Sequence, residues 1–117
     1  MRIRNFLHIP LVKESIHDGD GLCEHATVFP GSDFDTPIGF LNYTIIPPGG
    51  SFGQHVHGDD NELYIILEGT GEYIEDGETV PVNKGDITIN ARFASHGIRN
   101  TGDGPMRILV IEAYNKK

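Results

Sequence analysis

The chain has 117 residues, a length that predicts one domain covering residues 1–117. Nine Lys and Arg against 17 Asp and Glu give a formal net charge of −8, which argues against binding to a nucleic-acid backbone. The single cysteine excludes an intrachain disulfide, and no apolar run approaches the roughly 20 residues needed to cross a bilayer. The amino terminus also lacks the layout of a signal peptide, so we expect a soluble, cytoplasmic protein with no membrane partner.

In chain order, the sequence is a series of short strands separated by turns. Fifteen Gly and seven Pro divide it into segments too short for most helices, and the segments are rich in β-branched and aromatic residues. A turn of helix is predicted near residues 11–15. The candidate strands lie near 22–29, 38–46, 51–57, 62–68, 70–75, 78–82, 86–90, 94–100 and 106–114.

The turns between these segments support an all-β fold. Asp76-Gly77 is the strongest hairpin signal, because a type I′ turn needs two residues that tolerate a positive φ. Strands of this spacing predict a β-sandwich or a barrel.

Two histidines and a glutamate form a candidate metal site. Side chains alternate along a strand, so His55 and His57 share one face with Cα atoms roughly 6.5–7 Å apart. The following turn reverses the chain, and Glu62 begins the strand that returns beside them. Two imidazole nitrogens and a carboxylate can bind a divalent metal. The alternative is a pair of histidines on the solvent face of an edge strand, and these three residues leave both interpretations open.

Residues 49–69 resemble the first motif of the cupin superfamily, which reads G-x5-H-x-H-x3–4-E-x6-G. The fixed positions of this motif are occupied by Gly49, His55, His57, Glu62 and Gly69.

Residues 85–100 resemble the second cupin motif, G-x5-P-x-G-x2-H-x3-N, in part. Gly85, His96 and Asn100 stand at the required offsets, but Ala91 replaces the motif proline and Phe93 the motif glycine. Phe93 in this place is expected to narrow the mouth of the site.

The resemblance implies a conical antiparallel β-barrel, or double-stranded β-helix of the jelly-roll type. Residues 38–114 would form the barrel core and residues 1–37 the N-terminal strands and loops. It also implies one divalent transition metal with four protein ligands, namely His55, His57, Glu62 and His96. Such ligands leave one or two coordination positions open and suit Fe, Mn, Zn, Ni, Co or Cu, so the sequence does not choose the metal.

Three further side chains are candidates for catalysis. Tyr64 either presents its phenol to a metal-bound ligand or packs in the core. Arg92 either binds a substrate carboxylate or is a solvated residue of the rim. Glu112 is either a base beside the metal or a surface residue, and we favour the second interpretation.

The remaining histidines and the cysteine receive structural interpretations. His8, His17 and His25 lie outside both motifs and are interpreted as surface or rim residues. Cys23 has no basic neighbour in the sequence and is interpreted as a small buried residue.

Residues and resemblance together favour a metal-dependent enzyme with dioxygenase- or decarboxylase-type chemistry on a small organic acid. A metal-dependent sugar isomerase and a non-catalytic sugar- or small-ligand-binding sensor module stay open as alternatives. Single cupin barrels often dimerise through amino-terminal strands, and residues 2–7 alternate as such an edge strand does. We therefore expect a homodimer that binds a small molecule and no nucleic acid.

Overall fold

The computed structural model describes residues 2–116 as ten β-strands and one turn of 3-10 helix, Gly31–Asp33. This part of the chain contains no helix of the length and apolar character that crossing a bilayer requires. In chain order the strands are β1 (Val12–Glu14), β2 (Cys23–Pro30), β3 (Ile38–Ile46), β4 (Ser51–Val56), β5 (Asp60–Glu68), β6 (Thr70–Glu75), β7 (Glu78–Asn83), β8 (Ile87–Asn90), β9 (Ser95–Asn100) and β10 (Met106–Tyr114).

The strands form two antiparallel sheets. The larger sheet has the order β1-β2-β3-β10-β5-β8, and the smaller has the order β4-β9-β6-β7. Strands β2 to β10 coincide with the nine expected strands to within two residues at each end. The expected all-β antiparallel fold is therefore confirmed.

The core lies between the two sheets. Strand β5 alternates between buried and half-buried positions from Asp60 to Leu67, as a strand with one face in the core does. Ile66 of the larger sheet and Ile98 of the smaller are almost fully buried there. Cys23 is also fully buried, and burial raises the pKa of its thiol to about 11. This agrees with its interpretation as a structural residue.

The turn between β6 and β7 has the backbone conformation that the Asp76-Gly77 pair predicted. Asp76 and Gly77 have φ values of 45° and 84°, in the left-handed region that a type I′ turn requires. Glu75 and Glu78 pair on either side of the turn.

The segment near residues 11–15 is not helical, so that prediction is wrong. Val12–Glu14 instead forms the short exposed edge strand β1, paired with β2. Glu14 and His25 fix this pairing through a contact of 2.7 Å between Oε1 and Nε2. The segment is held by cross-strand contacts that no local periodicity reveals.

Residues 2–7 form no strand, so the predicted N-terminal edge strand is also wrong. Arg2 and Arg4 each reach a carboxylate oxygen of Asp33 at 2.7 Å, and the ring of Phe6 lies 4.7 Å from that of Tyr43. Side chains, rather than backbone pairing, hold this segment against the sheet. Dimerisation stays a prediction without the strand that was expected to mediate it.

Residues 16–20 cross from the larger sheet to the edge of the smaller one. The N–H of Gly53 donates to the carbonyl of Ile16 at 3.1 Å, and the N–H of Ser51 donates to that of Asp20 at 3.0 Å. Gly53 permits this approach, because a Cβ there would lie 1.9 Å from the carbonyl oxygen of His17. The crossing segment thus lies directly against strand β4 and is hydrogen-bonded to it.

Candidate metal centre

The four expected metal ligands meet between the two sheets. His55 on β4 lies opposite His96 on β9, and His57 follows the end of β4. Glu62 approaches from β5 of the larger sheet. One donor atom of each side chain lies within 4.8 Å of those of the other three.

Hydrogen bonds orient the first two imidazoles. Nδ1 of His55 lies 2.9 Å from the carbonyl oxygen of Gly53, and Nδ1 of His57 lies 2.6 Å from Oδ2 of Asp60. Burial raises the pKa of Asp60, but its hydrogen bonds with His57 and Glu112 outweigh this and hold the pKa below its usual range. A carbonyl and an ionised carboxylate only accept, so in the neutral form of each ring Nδ1 carries the hydrogen and Nε2 presents its lone pair.

With both rings neutral, the lone pairs of the two Nε2 atoms face each other at 2.9 Å and repel. A cation between them would relieve this repulsion, and two ligand atoms about 2.1 Å from an ion, at right angles, are about 3.0 Å apart. Oε1 of Glu62 lies at comparable distances, 3.5 Å from Nε2 of His57 and 3.3 Å from Nε2 of His96. The donor set therefore fits one divalent ion.

The electrostatics of the cluster favour the same conclusion. Burial and, to a lesser degree, the neighbouring histidines lower the pKa of His55 to about 4, so its imidazole is neutral at physiological pH. Glu62 is buried and supplies the carboxylate, to which Asn90 donates a long hydrogen bond of 3.4 Å.

His96 is held by packing and by one polar contact, between its Nε2 and Oε1 of Glu62 at 3.3 Å. It is fully buried, and within residues 2–116 its Nδ1 has no hydrogen-bond partner. Its ring stacks on that of His57 with centroids 4.4 Å apart and on that of Tyr73 at 6.5 Å.

Glu112 is buried beside the cluster, so the favoured interpretation as a surface residue is wrong. It pairs in register with Glu62 across strands β10 and β5, and its Oε2 lies 3.8 Å from Nδ1 of His57. Burial and the neighbouring Asp60 raise the pKa of Glu112 to about 7. His57, Asp60 and Glu112 also form a second group of potential donors, although Nδ1 of His57 is already engaged by Asp60.

Tyr64 is buried next to Glu62. Its ring packs against those of Phe52 and Tyr73, and its hydroxyl has no hydrogen-bond partner among the described residues. Burial and the charge of Glu62 raise the pKa of Tyr64, so the phenol keeps its proton. It is thus a free hydrogen-bond donor at the cluster.

Arg92 and Phe93 lie on the outside of the molecule. Arg92 forms an ion pair with Asp59, and its guanidinium lies 5.7 Å from the ring centre of Phe93. Phe93 is 64% exposed and has a φ of 63°, the conformation that the motif glycine would favour. The side chain lines neither of the two cavities that adjoin the cluster, so the expected narrowing of the mouth is not seen.

The missing motif proline has a local explanation. The N–H of Ala91 donates to Oε1 of Glu75 at 3.3 Å, and proline has no N–H to make this bond.

Two cavities adjoin the cluster. An outer cavity of about 410 Å³ is lined by residues that include His55, His57, Asp60, Glu112 and Tyr114. An inner cavity of about 250 Å³ has a lining that includes Phe40, Asn42, Phe52, Tyr64 and Val110. His17, Phe40 and Glu62 line both. Arg92 lines neither, whereas Tyr64 and Glu112 each line one.

Sequence reasoning missed two residues of this region. His17 sits on the rim, as expected, but its ring also stacks on that of His55 with centroids 3.5 Å apart. Gly53 inside a strand was the available signal, because such a glycine often marks the close approach of another backbone. Asp60 precedes the strand expected near 62–68, and it follows His57 by three residues and binds its ring.

Parts of this sequence match a known protein family and several known proteins. The family described as a cupin domain matches residues 42–112. An oxalate-binding protein of Thermotoga maritima is 38% identical over 66 residues, 56% of this chain and 54% of that protein. A 5-nitrosalicylic acid 1,2-dioxygenase of a Bradyrhizobium species is 36% identical over 76 residues, 65% of this chain and 36% of the enzyme. The chain thus spans about half the length of the first relative and about a third of the second.

Solved structures share the architecture. The crystal structure of a predicted oxalate decarboxylase from Thermotoga maritima matches with a TM-score of 0.93 at 27% identity, covering 97% of this chain and 99% of that one. A cupin 2 conserved barrel domain protein from Salinispora arenicola matches with a TM-score of 0.77 at 21% identity, covering 98% and 90%. The second likeness concerns the fold alone.

Proposed function

Since the chain belongs to the cupin family, as its two motifs indicated, we propose that it binds one divalent transition metal and acts on a small organic acid. The proposed ligands are His55, His57, Glu62 and His96. The observation that carries the proposal is the convergence of the four donor atoms, with Nε2 of His55 and Nε2 of His57 only 2.9 Å apart, an arrangement that a cation would stabilise.

A small carboxylate is the ligand class that these charges favour. When bound, the ion supplies a Lewis acid for a carboxylate oxygen. Glu62 is the one acidic ligand in the proposed set, so it neutralises only half of a 2+ charge and leaves the ion itself positive for a carboxylate oxygen, although Asp60 and Glu112 also line the outer cavity. The names of two relatives, an oxalate-binding protein and a predicted oxalate decarboxylase, support oxalate as the first ligand to test.

Residues around the proposed ion have separate roles. The protonated phenol of Tyr64 is placed to donate a hydrogen bond to a ligand oxygen. Glu112, whose pKa is about 7, exchanges a proton near neutral pH and lines the outer cavity. Asp60 holds the ring of His57 through Nδ1. These features support lyase or dioxygenase chemistry, in which proton transfer accompanies bond cleavage.

A non-catalytic binding module is the second candidate. The relative named for oxalate binding, 38% identical over its matched segment, favours it. Such a module would hold the acid at the metal without turnover.

Metal content is the first test. Protein purified without added metal is analysed for its elements, and Mn²⁺, Fe²⁺ and Zn²⁺ are titrated by calorimetry. We expect one ion per chain in the unaltered protein and in His8→Ala, whose histidine is exposed and outside both cavities, and none in His57→Ala. Binding of an ion by a correctly folded His57→Ala with unchanged affinity would contradict the proposed ligand set.

Oxalate then separates the two candidates. The metal-loaded protein is incubated with oxalate in the presence and absence of O₂, while CO₂, formate and O₂ are followed. An enzyme acting on this acid gives product that disappears in His57→Ala. A binding module instead shows a higher melting temperature with oxalate and no product.

A further inference from the structure

We infer that His17, which lies outside both motifs, is a positioning residue of the candidate metal centre. It holds the ring of His55 in the orientation needed for coordination. This inference rests on the proposed metal binding.

The contact between the two rings is a face-to-face stack. Their centroids lie 3.5 Å apart and their planes are inclined by 13°. An ion bound to Nε2 of His55 lies in the plane of that ring, hence about 3.5 Å from the plane of His17, whereas a metal–nitrogen bond is about 2.0–2.1 Å. His17 is therefore a neighbour of a ligand and not a fifth ligand.

The stack complements the hydrogen bond that His55 makes. Nδ1 of His55 points at the carbonyl of Gly53 in the plane of the ring. A hydrogen bond in the plane resists in-plane displacement, and a ring packed on the face resists rotation out of the plane. Together, Gly53 and His17 restrict the direction of the Nε2 lone pair.

The backbone is arranged to present this ring. His17 and Asp18 have φ values of 51° and 56°, a left-handed conformation that is unfavourable for a residue with a side chain. Such strain persists where surrounding contacts determine it. The contacts here are the two backbone hydrogen bonds from Ser51 and Gly53 to the crossing segment.

Gly53 joins both parts of the arrangement. Its carbonyl receives Nδ1 of His55, its N–H donates to the carbonyl of Ile16, and its lack of a side chain lets the carbonyl of His17 pass. The same residue thus fixes His55 in its plane and places His17 against its face.

Metal affinity of position-17 variants tests the inference. His17→Asn keeps a residue type that tolerates a left-handed φ but removes the aromatic ring. His17→Phe keeps a ring that can stack but has no nitrogen. His8→Asn is the matched control, an exposed histidine outside both cavities. The probes are Mn²⁺ by calorimetry and the visible spectrum of the Co²⁺-loaded protein.

We expect His17→Asn to bind Mn²⁺ about tenfold more weakly, the lower end of the range for residues that orient a metal ligand, and to alter the Co²⁺ spectrum. His17→Phe and His8→Asn should stay within about twofold of the unaltered protein, as a stacking role requires. Melting curves of the metal-free variants establish that each is folded.

Two results would overturn the inference alone. Equal Mn²⁺ affinity in His17→Asn and the unaltered protein removes the positioning role, and an equal loss in His17→Phe and His17→Asn shows that an aromatic ring at this position does not account for the affinity. If the unaltered protein binds no metal, the proposed function fails and this inference with it.

Discussion

The candidate centre has an inner set of donors and an outer set of residues around them, and the two originate differently. The inner set, His55, His57, Glu62 and His96, occupies motif positions on or directly beside regular strands. The outer set, His17, Asp60 and Glu112, comes from a crossing segment, the first residue of β5 and the neighbouring strand β10. The motif specifies the atoms that can touch an ion, whereas residues without a fixed spacing orient those atoms.

The largest effect should come from the charge of the inner set. Glu62→Gln keeps the shape of the side chain but removes its negative charge, so we expect Mn²⁺ affinity to fall by more than the roughly 10–100-fold typical of orienting residues. Calorimetry measures this. Glu72→Gln, on the exposed hairpin face, should leave the affinity unchanged, and a Glu62→Gln protein that binds as tightly would remove the distinction between the two sets.

A smaller loss is expected in the outer set. Asp60→Asn replaces the carboxylate that accepts the Nδ1 hydrogen of His57 with a weaker, neutral acceptor. We expect Mn²⁺ affinity to fall about 10–100-fold. Asp59→Asn, at the adjacent exposed residue, is the control. Equal Mn²⁺ affinities of Asp60→Asn and Asp59→Asn would refute the orienting role of Asp60.

Glu112 provides a test that needs no metal. Its pKa is raised to about 7 in the folded protein, above the ordinary value of 4.5. The contribution of Glu112 to the free energy of unfolding is therefore fully present below about pH 4.5 and is lost as the pH rises through about 7. Glu112→Gln carries no charge to bury, so at pH 8 it should be more stable than the unaltered protein by about 1 kcal/mol after solvent screening.

Urea unfolding with a chelator present, at pH 5 and pH 8, measures the difference between the two proteins. Titrating groups that do not contact Glu112 are common to both proteins and cancel, so the difference reports Glu112 together with its hydrogen-bond partner Asp60. A difference that does not grow with pH would show that Glu112 titrates normally.

The smallest effect is expected at a motif position that belongs to neither set. Phe93→Gly relieves a left-handed φ of 63°, but the greater freedom of the unfolded glycine offsets most of the gain. We expect a rise in stability of about 0.5 kcal/mol or less and unchanged Mn²⁺ affinity. A marked change in Mn²⁺ affinity would show that Phe93 influences the metal centre although its side chain is exposed.

Sequence alone predicted the strands and the inner set because both depend on local patterns. Alternation of side chains placed His55 and His57 on one face, and turn residues marked where each strand ends. Glu112 was misjudged because Leu109 and Ile111, on the other face of its strand, are apolar too, and neither face of β10 could be recognised as the inner one. The N-terminal segment was misjudged because its positions depend on side chains distant in sequence, such as Asp33.

The division of the inner set between the sheets has a mechanical consequence. His55 and His96 belong to the smaller sheet and Glu62 to the larger, so one ion held by all of them would join the two layers. A chain with one cysteine has no intrachain disulfide to do this. The metal would then be a removable cross-link, and chelation would loosen one layer from the other.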